Sequence, residues 1–309
     1  MENTSKTLDR FIADVTRIAA EDSDRAVTIE KIKPLFVKLL EDRTFLAEEY
    51  KQVIPHRFAQ YALYRADDRS LSLMSMVVPP RETTPVHDHL AWGLVGVYQG
   101  VQKETIYRRL DDGTQPEFAE LEEVGSRILE PGDITTLLPP DGDIHKIETV
   151  SEGASISIHL LGNDIGCELR HAYHPKQKSI RPFRSGYQNV PCLQARFDHQ
   201  HLIVENVEET VAFYEGILGA QKTEVKAVGG VPIVVMDMNG TRLIISGQLH
   251  PNIGSHYGLA VDNLDTAVDE LKSRGVKLLT EPTQVGQIRY VFIKDAAGNT
   301  VELLERKAE

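Results

Sequence analysis

Apolar residues recur with helical spacing over residues 7–20 and 28–50, with Leu8, Phe11, Ile12, Val15 and Ile18 on one face and Leu35, Phe36, Leu39 and Leu40 on another. This spacing predicts two helices, with Pro34 in the first turn or two of the second, where a missing N–H is tolerated. From about residue 58 the pattern changes to short β-prone runs such as FAQYALYR, SLSLMSMVVPP, AWGLVGVYQG, VQKETIYRRL and ASISIHLLG, separated by turn signals at 111–113, 130–133 and 139–143. Many short strands at this spacing predict an antiparallel barrel or sandwich. The Pro-, Lys- and Arg-rich HPKQKSIRPFRSGYQN closes this region, with a boundary near 190. Beyond it, strands and helices alternate in two β-α-β-β-β units. The first has a strand at 197–204, a helix at 208–218 and strands at 222–227, 231–238 and 241–246. The second has a strand at 256–261, a helix at 264–274 and strands at 277–280, 288–294 and 300–304.

A chain of 309 residues suits two domains, each burying its own core. The net charge of −12, with no run of Lys and Arg, excludes a nucleic-acid surface, so an anionic substrate would need individually placed cations. The opening MENTSKTLDRFIADV lacks the basic start and apolar run of a signal peptide, and no stretch approaches the roughly 20 apolar residues of a membrane span. Two cysteines, Cys167 and Cys192, argue against a disulfide framework. The expectation is a reduced, cytoplasmic protein with no membrane partner; a homo-oligomer is left open.

The candidate chemistry begins with His87 and His89 in PVHDH and His145 in PPDGDIH. Alternate residues of a strand share a face, so H-x-H aims both rings one way, and His145 can reach the same point from a neighbouring strand. The two motifs resemble those of the cupin superfamily, except that the usual glutamate position falls in Leu90-Ala91-Trp92-Gly93-Leu94, which holds no carboxylate. Three neutral imidazoles leave a divalent metal its full charge and several open positions. The all-histidine triad resembles the cysteine and 3-mercaptopropionate dioxygenases. That resemblance implies N-terminal helices plus an all-β cupin double-stranded barrel over residues 1–190. It also implies Fe(II) on His87, His89 and His145, and oxidation of a small anionic thiol by O2 to its sulfinate. The family's Ser-x-His-x-Tyr string is matched by Ser157 and His159, which would form a relay, but Leu161 stands at the tyrosine position. No cysteine lies beside Trp92-Gly93-Leu94 to form a thioether cross-link. Gln60 in FAQYALYR and Arg170 in DIGCELR match the positions that bind the substrate carboxylate in the bacterial mercaptopropionate enzymes.

The signatures FDHQHLIVENVEETVAFYEGILGA, SHYGLAVDNLDTAVDELKSRGV and YVFIKDAAGNTVELLE resemble the vicinal oxygen chelate superfamily, which includes glyoxalase I, extradiol dioxygenases and fosfomycin-resistance thiol transferases. The resemblance implies an α+β domain of two βαβββ modules over 195–309. His199, His256 and Glu302 would then ligate Fe(II), Mn(II) or another divalent metal, with His201 able to replace or assist His199. The strand TRLIISG lacks the further glutamate of glyoxalases, and Phe292 stands where extradiol enzymes commonly place a tyrosine. Tyr290 and Arg289 are candidate cavity residues.

The leading expectation is an iron-dependent dioxygenase of small thiol carboxylates with a second metal site. One alternative centres the chemistry on the C-terminal domain, as a ring- or C–C-cleaving oxygenase, a lyase or a thiol transferase. Another is a non-catalytic metal-binding sensor.

Overall fold

The computed structural model describes residues 2–306 apart from Asp141. The chain divides into two compact units, Met1–Pro191 and Cys192–Glu309. Among the described residues no helix is long and apolar enough to cross a membrane.

The first unit opens with α1 (Glu2–Glu21) and α2 (Arg25–Glu41). Asp24 starts α2 by accepting hydrogen bonds from the Ala26 and Val27 amides. The helix ends at Asp42, whose carboxylate accepts from Thr44 N and Thr44 Oγ1 and offers the backbone a turn in place of another helical bond. The second helix is therefore shorter at its C-terminal end than the spacing over 28–50 predicts, and residues 48–51 form only a 3-10 turn. Because α2 begins at Arg25, Pro34 lies inside it rather than in the first two turns.

The strands that follow are β1 (Ala59–Arg65), β2 (Ser72–Val78), β3 (Val86–His87), β4 (Gly93–Gln99), β5 (Gln102–Arg109), β6 (Leu121–Leu129), β7 (Ile134–Leu137), β8 (Ile144–Thr149), β9 (Ser155–Leu161), β10 (Arg170–His174) and β11 (Ser179–Phe183). They form two antiparallel sheets, ordered β1-β2-β9-β4-β7 and β11-β10-β3-β8-β5-β6. The Pro-, Lys- and Arg-rich segment that closes the region supplies β11, which pairs with β10 through a turn at Lys178 in the left-handed region.

Strand alternation sorts the side chains of β9 between two environments. Ile156, Ile158 and Leu160 join Phe36, Leu39 and Leu40 of α2 in one apolar core. Each such buried side chain contributes about 1.5–3 kcal/mol. A Cβ on Gly96 of β4 would come within 2.3 Å of Leu40 Cδ1, so glycine lets the helix seat this closely. Ser155 and Ser157 face the second sheet, where Gln102 of β5 donates to both, at 3.0 and 3.4 Å.

The second unit contains β12 (Ala195–Ile203), α3 (Val207–Gly216), β13 (Gln221–Val228), β14 (Val231–Met238), β15 (Thr241–Ser246), β16 (His256–Val261), α4 (Leu264–Ser273), β17 (Thr283–Val285), β18 (Ile288–Lys294) and β19 (Thr300–Arg306). One curled sheet runs β13-β14-β15-β12-β16-β19-β18-β17. In each βαβββ module the first strand pairs parallel with the last, and β12 joins β16 antiparallel. Asn206 and Asn263 cap the two helices. Val211 of α3 packs on Met236, Leu243 and Ile245, and Leu264 and Val268 of α4 pack on Val291, Val301 and Leu303. The opposite face of the sheet encloses a cavity of about 540 Å³.

The strand expected at 277–280 is reduced to a single bridge between Leu278 and Ile293. The paired strand lies later, at β17, because Gly286 (φ +59°) opens a two-residue hairpin turn into β18. Neither cysteine is a free thiol. A count of two argued against a disulfide framework, but it did not establish that the pair is reduced.

Candidate metal centres

His87 of β3 and His145 of β8 are direct partners across the antiparallel ladder. Strand β3 is only two residues long, so alternation alone does not orient His89. Asp143 does so: its carboxylate accepts from the His89 and Leu90 amides, each at 3.0 Å, and Leu90 turns the chain at φ +55°. The three rings are buried, with candidate ligand atoms within 4.8 Å of one another and ring centroids 4.8–5.0 Å apart.

Each ring is oriented from behind. His87 Nδ1 donates to Pro85 O (2.9 Å), His89 Nδ1 to Asp143 O (3.1 Å) and His145 Nδ1 to Glu104 Oε1 (2.7 Å). Donation at Nδ1 leaves the Nε2 lone pair as the ligand, and His145 Nε2 is buried without a partner. Burial, together with Arg170 and the neighbouring imidazoles, holds His87 well below its usual pKa, so the ring is neutral. Burial alone would raise the Glu104 carboxyl, but hydrogen bonds and charge from His145 and Arg127 outweigh it and hold it at about 2. Three convergent imidazoles with one orphaned nitrogen fit a divalent metal. Glu104 and Asp143 were not singled out from the sequence; the signal for Glu104 was the inward pair Gln102 and Glu104 at i and i+2 of β5.

Ser157 Oγ and His159 Nε2 share a 2.9 Å hydrogen bond, while His159 Nδ1 is buried and unpartnered. Burial, with His89, His145 and Arg170 nearby, keeps His159 neutral. Arg170 is 2% exposed, and its burial lowers its pKa to about 10. Its Nη1 donates to Asp88 O (2.8 Å) and Nη2 to Ser185 Oγ (3.1 Å), the plane lies over Phe183, and Nε has no partner. Its hydrogen-bond acceptors among the described residues are thus a carbonyl and a hydroxyl, with no carboxylate. Asp88, between the two histidines, instead accepts from His171 N, His171 Nδ1 and Tyr173 Oη. Gln60 is also buried, with Oε1 unpartnered. Leu161 is fully buried, and its Cδ2 packs on Gly93.

In the second unit the β12–β16 register shifts between Phe197 and His199, so Asp198 is the extra residue of a bulge. Bulges re-aim neighbouring side chains. Here Asp198 Oδ1 accepts from His199 Nδ1 at 2.7 Å, and Arg306 grips the same carboxylate at 2.8 and 3.1 Å. Burial opposes the charged form of His199, but Asp198 and Glu302 outweigh it and raise its pKa. The ring lies against Gly258 of β16, where a Cβ would meet His199 Cε1 at 2.2 Å.

His199, His201 and His256 form a second buried group with candidate ligand atoms within 4.8 Å. Glu302 Oε2 lies 3.1 Å from His199 Nε2 and 3.7 Å from His256 Nε2. Burial opposes its ionisation, yet these histidines hold its carboxyl at about 2. His256 Nδ1 donates to Gly254 O, and its Nε2 is free of hydrogen bonds. Ser246 Oγ donates to Gly247 O, so His201 Nε2 donates to that oxygen and Nδ1 is its free lone pair. The structure therefore brings His201 into the group formed by His199, His256 and Glu302. Tyr290 and Phe292 line the same cavity. Arg289 pairs instead with Asp265 and Glu305.

The family model described as Glyoxalase/Bleomycin resistance protein/Dioxygenase superfamily matches residues 196–303. Human mitochondrial methylmalonyl-CoA epimerase is 30% identical over 127 residues, covering 35% of this chain and 72% of that protein. The uncharacterized protein YurT of Bacillus subtilis is 24% identical over 120 residues, covering 34% of this chain and 94% of its own length. Among solved structures, methylmalonyl-CoA epimerase from Mycobacterium tuberculosis aligns with 36% of this chain and 88% of its own, at 21% identity and a TM-score of 0.32.

Proposed function

The chain belongs, through its C-terminal unit, to the glyoxalase/bleomycin resistance protein/dioxygenase superfamily, and from that premise we propose that it carries two metal-dependent centres. In this reading the first unit is a cupin barrel and an iron-dependent dioxygenase that converts a small thiol carboxylate, of the 3-mercaptopropionate or cysteine kind, into its sulfinate.

The observation that carries this reading is Arg170, a buried guanidinium with no carboxylate among its hydrogen-bond partners, whose Nη1 is bonded to the carbonyl of the residue between His87 and His89. Asp88 and Asp143 favour its charge from nearby without hydrogen-bonding to it, so a substrate carboxylate could still add a charge-assisted hydrogen bond at Nε. Arg170 Nε, a buried donor without a partner, would receive the carboxylate, and Gln60 would have to present its amide Nε2, because its unpartnered Oε1 is an acceptor. Divalent iron on His87, His89 and His145 would supply the Lewis acidity that favours the thiolate and the redox chemistry that brings O2 to sulfur.

The chain's own groups do the rest. Glu104 and Asp143 fix the rings so that Nε2 faces inward. Gln102, Ser157 and His159 form a buried hydrogen-bonded row whose end, His159 Nδ1, is available to a ligand. Burial of all these groups excludes water from the site. The overall balance is one thiol plus one O2 giving one sulfinic acid.

For the C-terminal centre we propose a divalent metal, iron or manganese, held by His199, His256 and Glu302 with His201 beside them. Similarity to methylmalonyl-CoA epimerase favours an epimerase-like proton transfer at carbon as a second reading. Against it, Glu302 is the single carboxylate on the cavity wall among the described residues, and it is engaged by two histidines. Mass spectrometry after turnover of 3-mercaptopropionate under labelled dioxygen tests the first reading. Both label atoms are expected in the sulfinate; incorporation from solvent, or no sulfinate, overturns it.

A further inference from the structure

The cavity of the C-terminal unit contains a cation, Arg242, with no ion pair among the described residues. Arg242 of β15 lines it and has a buried Nε with no partner. In the parallel ladder Arg242 stands directly beside His199, and alternation puts both on the cavity face while Leu243 and Ile245 pack under α3. Its cross-strand neighbour Asp237 does not neutralise it: that carboxylate accepts from Gly240 N at 3.1 and 3.3 Å. The other lining cations, Lys226 and Arg306, are paired with Glu224 and Asp198. Glu302 faces the histidines. Much of the remaining wall is apolar, including Ile233, Val235, Ile244 and Phe292.

We infer that Arg242 is the anion-binding residue of a ligand site beside the His199–His256–Glu302 centre, and that the site takes a small carboxylate with an apolar body. Arg242 is half-buried with its Nε shielded, which gives it the asymmetry of a partly desolvated charge. A guanidinium walled by apolar groups gains far more from a carboxylate than from a neutral isostere, because the anion both satisfies its N–H groups and cancels its charge. The cavity volume of about 540 Å³ is within the range that encloses a small organic molecule. The apolar strands supply shape and Arg242 supplies orientation. The inference is independent of the chemistry proposed for the first unit and requires no turnover.

The test uses 4-bromobenzoate and its neutral isostere 4-bromobenzamide, titrated calorimetrically into the full chain before and after chelator treatment. The acid is expected to bind at least about tenfold more tightly than the amide. That preference should survive metal removal, which separates Arg242 from capture by a metal. It should vanish in Arg242→Gln and return in part in Arg242→Lys, which keeps the charge and guards against a folding defect. In crystals, the bromine anomalous peak should fall inside the cavity bounded by Ile233 and Phe292. No binding of either probe at millimolar concentration, equal binding of the two, or a preference that persists in Arg242→Gln each overturns the proposal.

Discussion

In the N-terminal centre the carboxylates stand behind the imidazoles, Glu104 on His145 Nδ1 and Asp143 beside His89 Nδ1. In the C-terminal centre one carboxylate, Glu302, stands among the ring nitrogens, within 3.7 Å of two Nε2 atoms. Both have three buried histidines, so the counting of ligands does not separate them. The placement of charge does. The first centre would leave a divalent metal its full charge, next to a buried arginine that calls for an anion. The second would cancel part of a metal's charge itself and has Arg242 on the wall of a largely apolar cavity. Similar imidazole groups are therefore set in different charge environments by where the protein puts its acids and its arginines.

The largest expected effect comes from removing one centre at a time. His87→Ala should abolish thiol-dependent oxygen uptake and one metal site, while His256→Ala should remove the other metal and leave thiol oxidation in place, as read by metal analysis on purified chains. Loss of thiol oxidation in both would break the comparison. Next, Arg170→Gln should raise KM for a thiol carboxylate by about 10- to 100-fold, the value of a charge-assisted hydrogen bond, and change little for a thiol without a carboxylate. Equal effects on both thiols would mean that Arg170 only supports the fold.

Gly258→Ala sharpens the comparison from the other side. A Cβ 2.2 Å from His199 must displace that ring, so metal affinity at the C-terminal centre should fall by about 10- to 100-fold with no change at the N-terminal centre. Calorimetric metal titration of the variant reads both sites together, and an unchanged second site would remove His199 from the ligand set.

The smallest effect is on stability in acid. In the metal-free chain His87, His89 and His159 all have lowered pKa values. The unfolded chain therefore binds more protons once the pH falls below the ordinary histidine value of 6.5, and their contribution, present above 6.5, is lost on acidification. Glu104, held at about 2 against an ordinary 4.5, adds loss as the pH falls from 4.5 toward 2. In the C-terminal unit His201, lowered to about 3 by burial and its neighbouring imidazoles, acts in the same sense. His199 is raised, so its contribution is present below 6.5 and lost as pH rises. Between pH 6.5 and 5 the first unit should therefore lose more stability than the second. Hydrogen exchange followed peptide by peptide in each unit checks this; equal losses would contradict the assigned charge states.

The histidines were legible in the sequence because a ligand must be a ligating residue type at a spacing that a strand can present. The two βαβββ modules were legible because their strands and helices have different apolar periods. What the sequence did not disclose depends on contacts distant along the chain. Glu104 and Asp143 were not singled out, because only the fold sets them against His145 and His89. His201 read as an accessory to His199 until Ser246, on a neighbouring strand, fixed its tautomer. Arg242 carried no motif, and its meaning comes from what the cavity withholds from it. Local polar competition explains the early end of α2 at Asp42, and a glycine turn explains the displaced β17. Neither effect alters hydrophobic periodicity, which is why the spacing missed both.

Oxygen uptake by the iron-loaded chain with 3-mercaptopropionate and cysteine, compared between wild type and His87→Ala, decides whether the N-terminal histidines support thiol oxidation. One O2 consumed per sulfinate formed is expected in wild type and none above background in His87→Ala. No uptake with any small thiol at full iron occupancy, or uptake that persists in His87→Ala, would contradict that role.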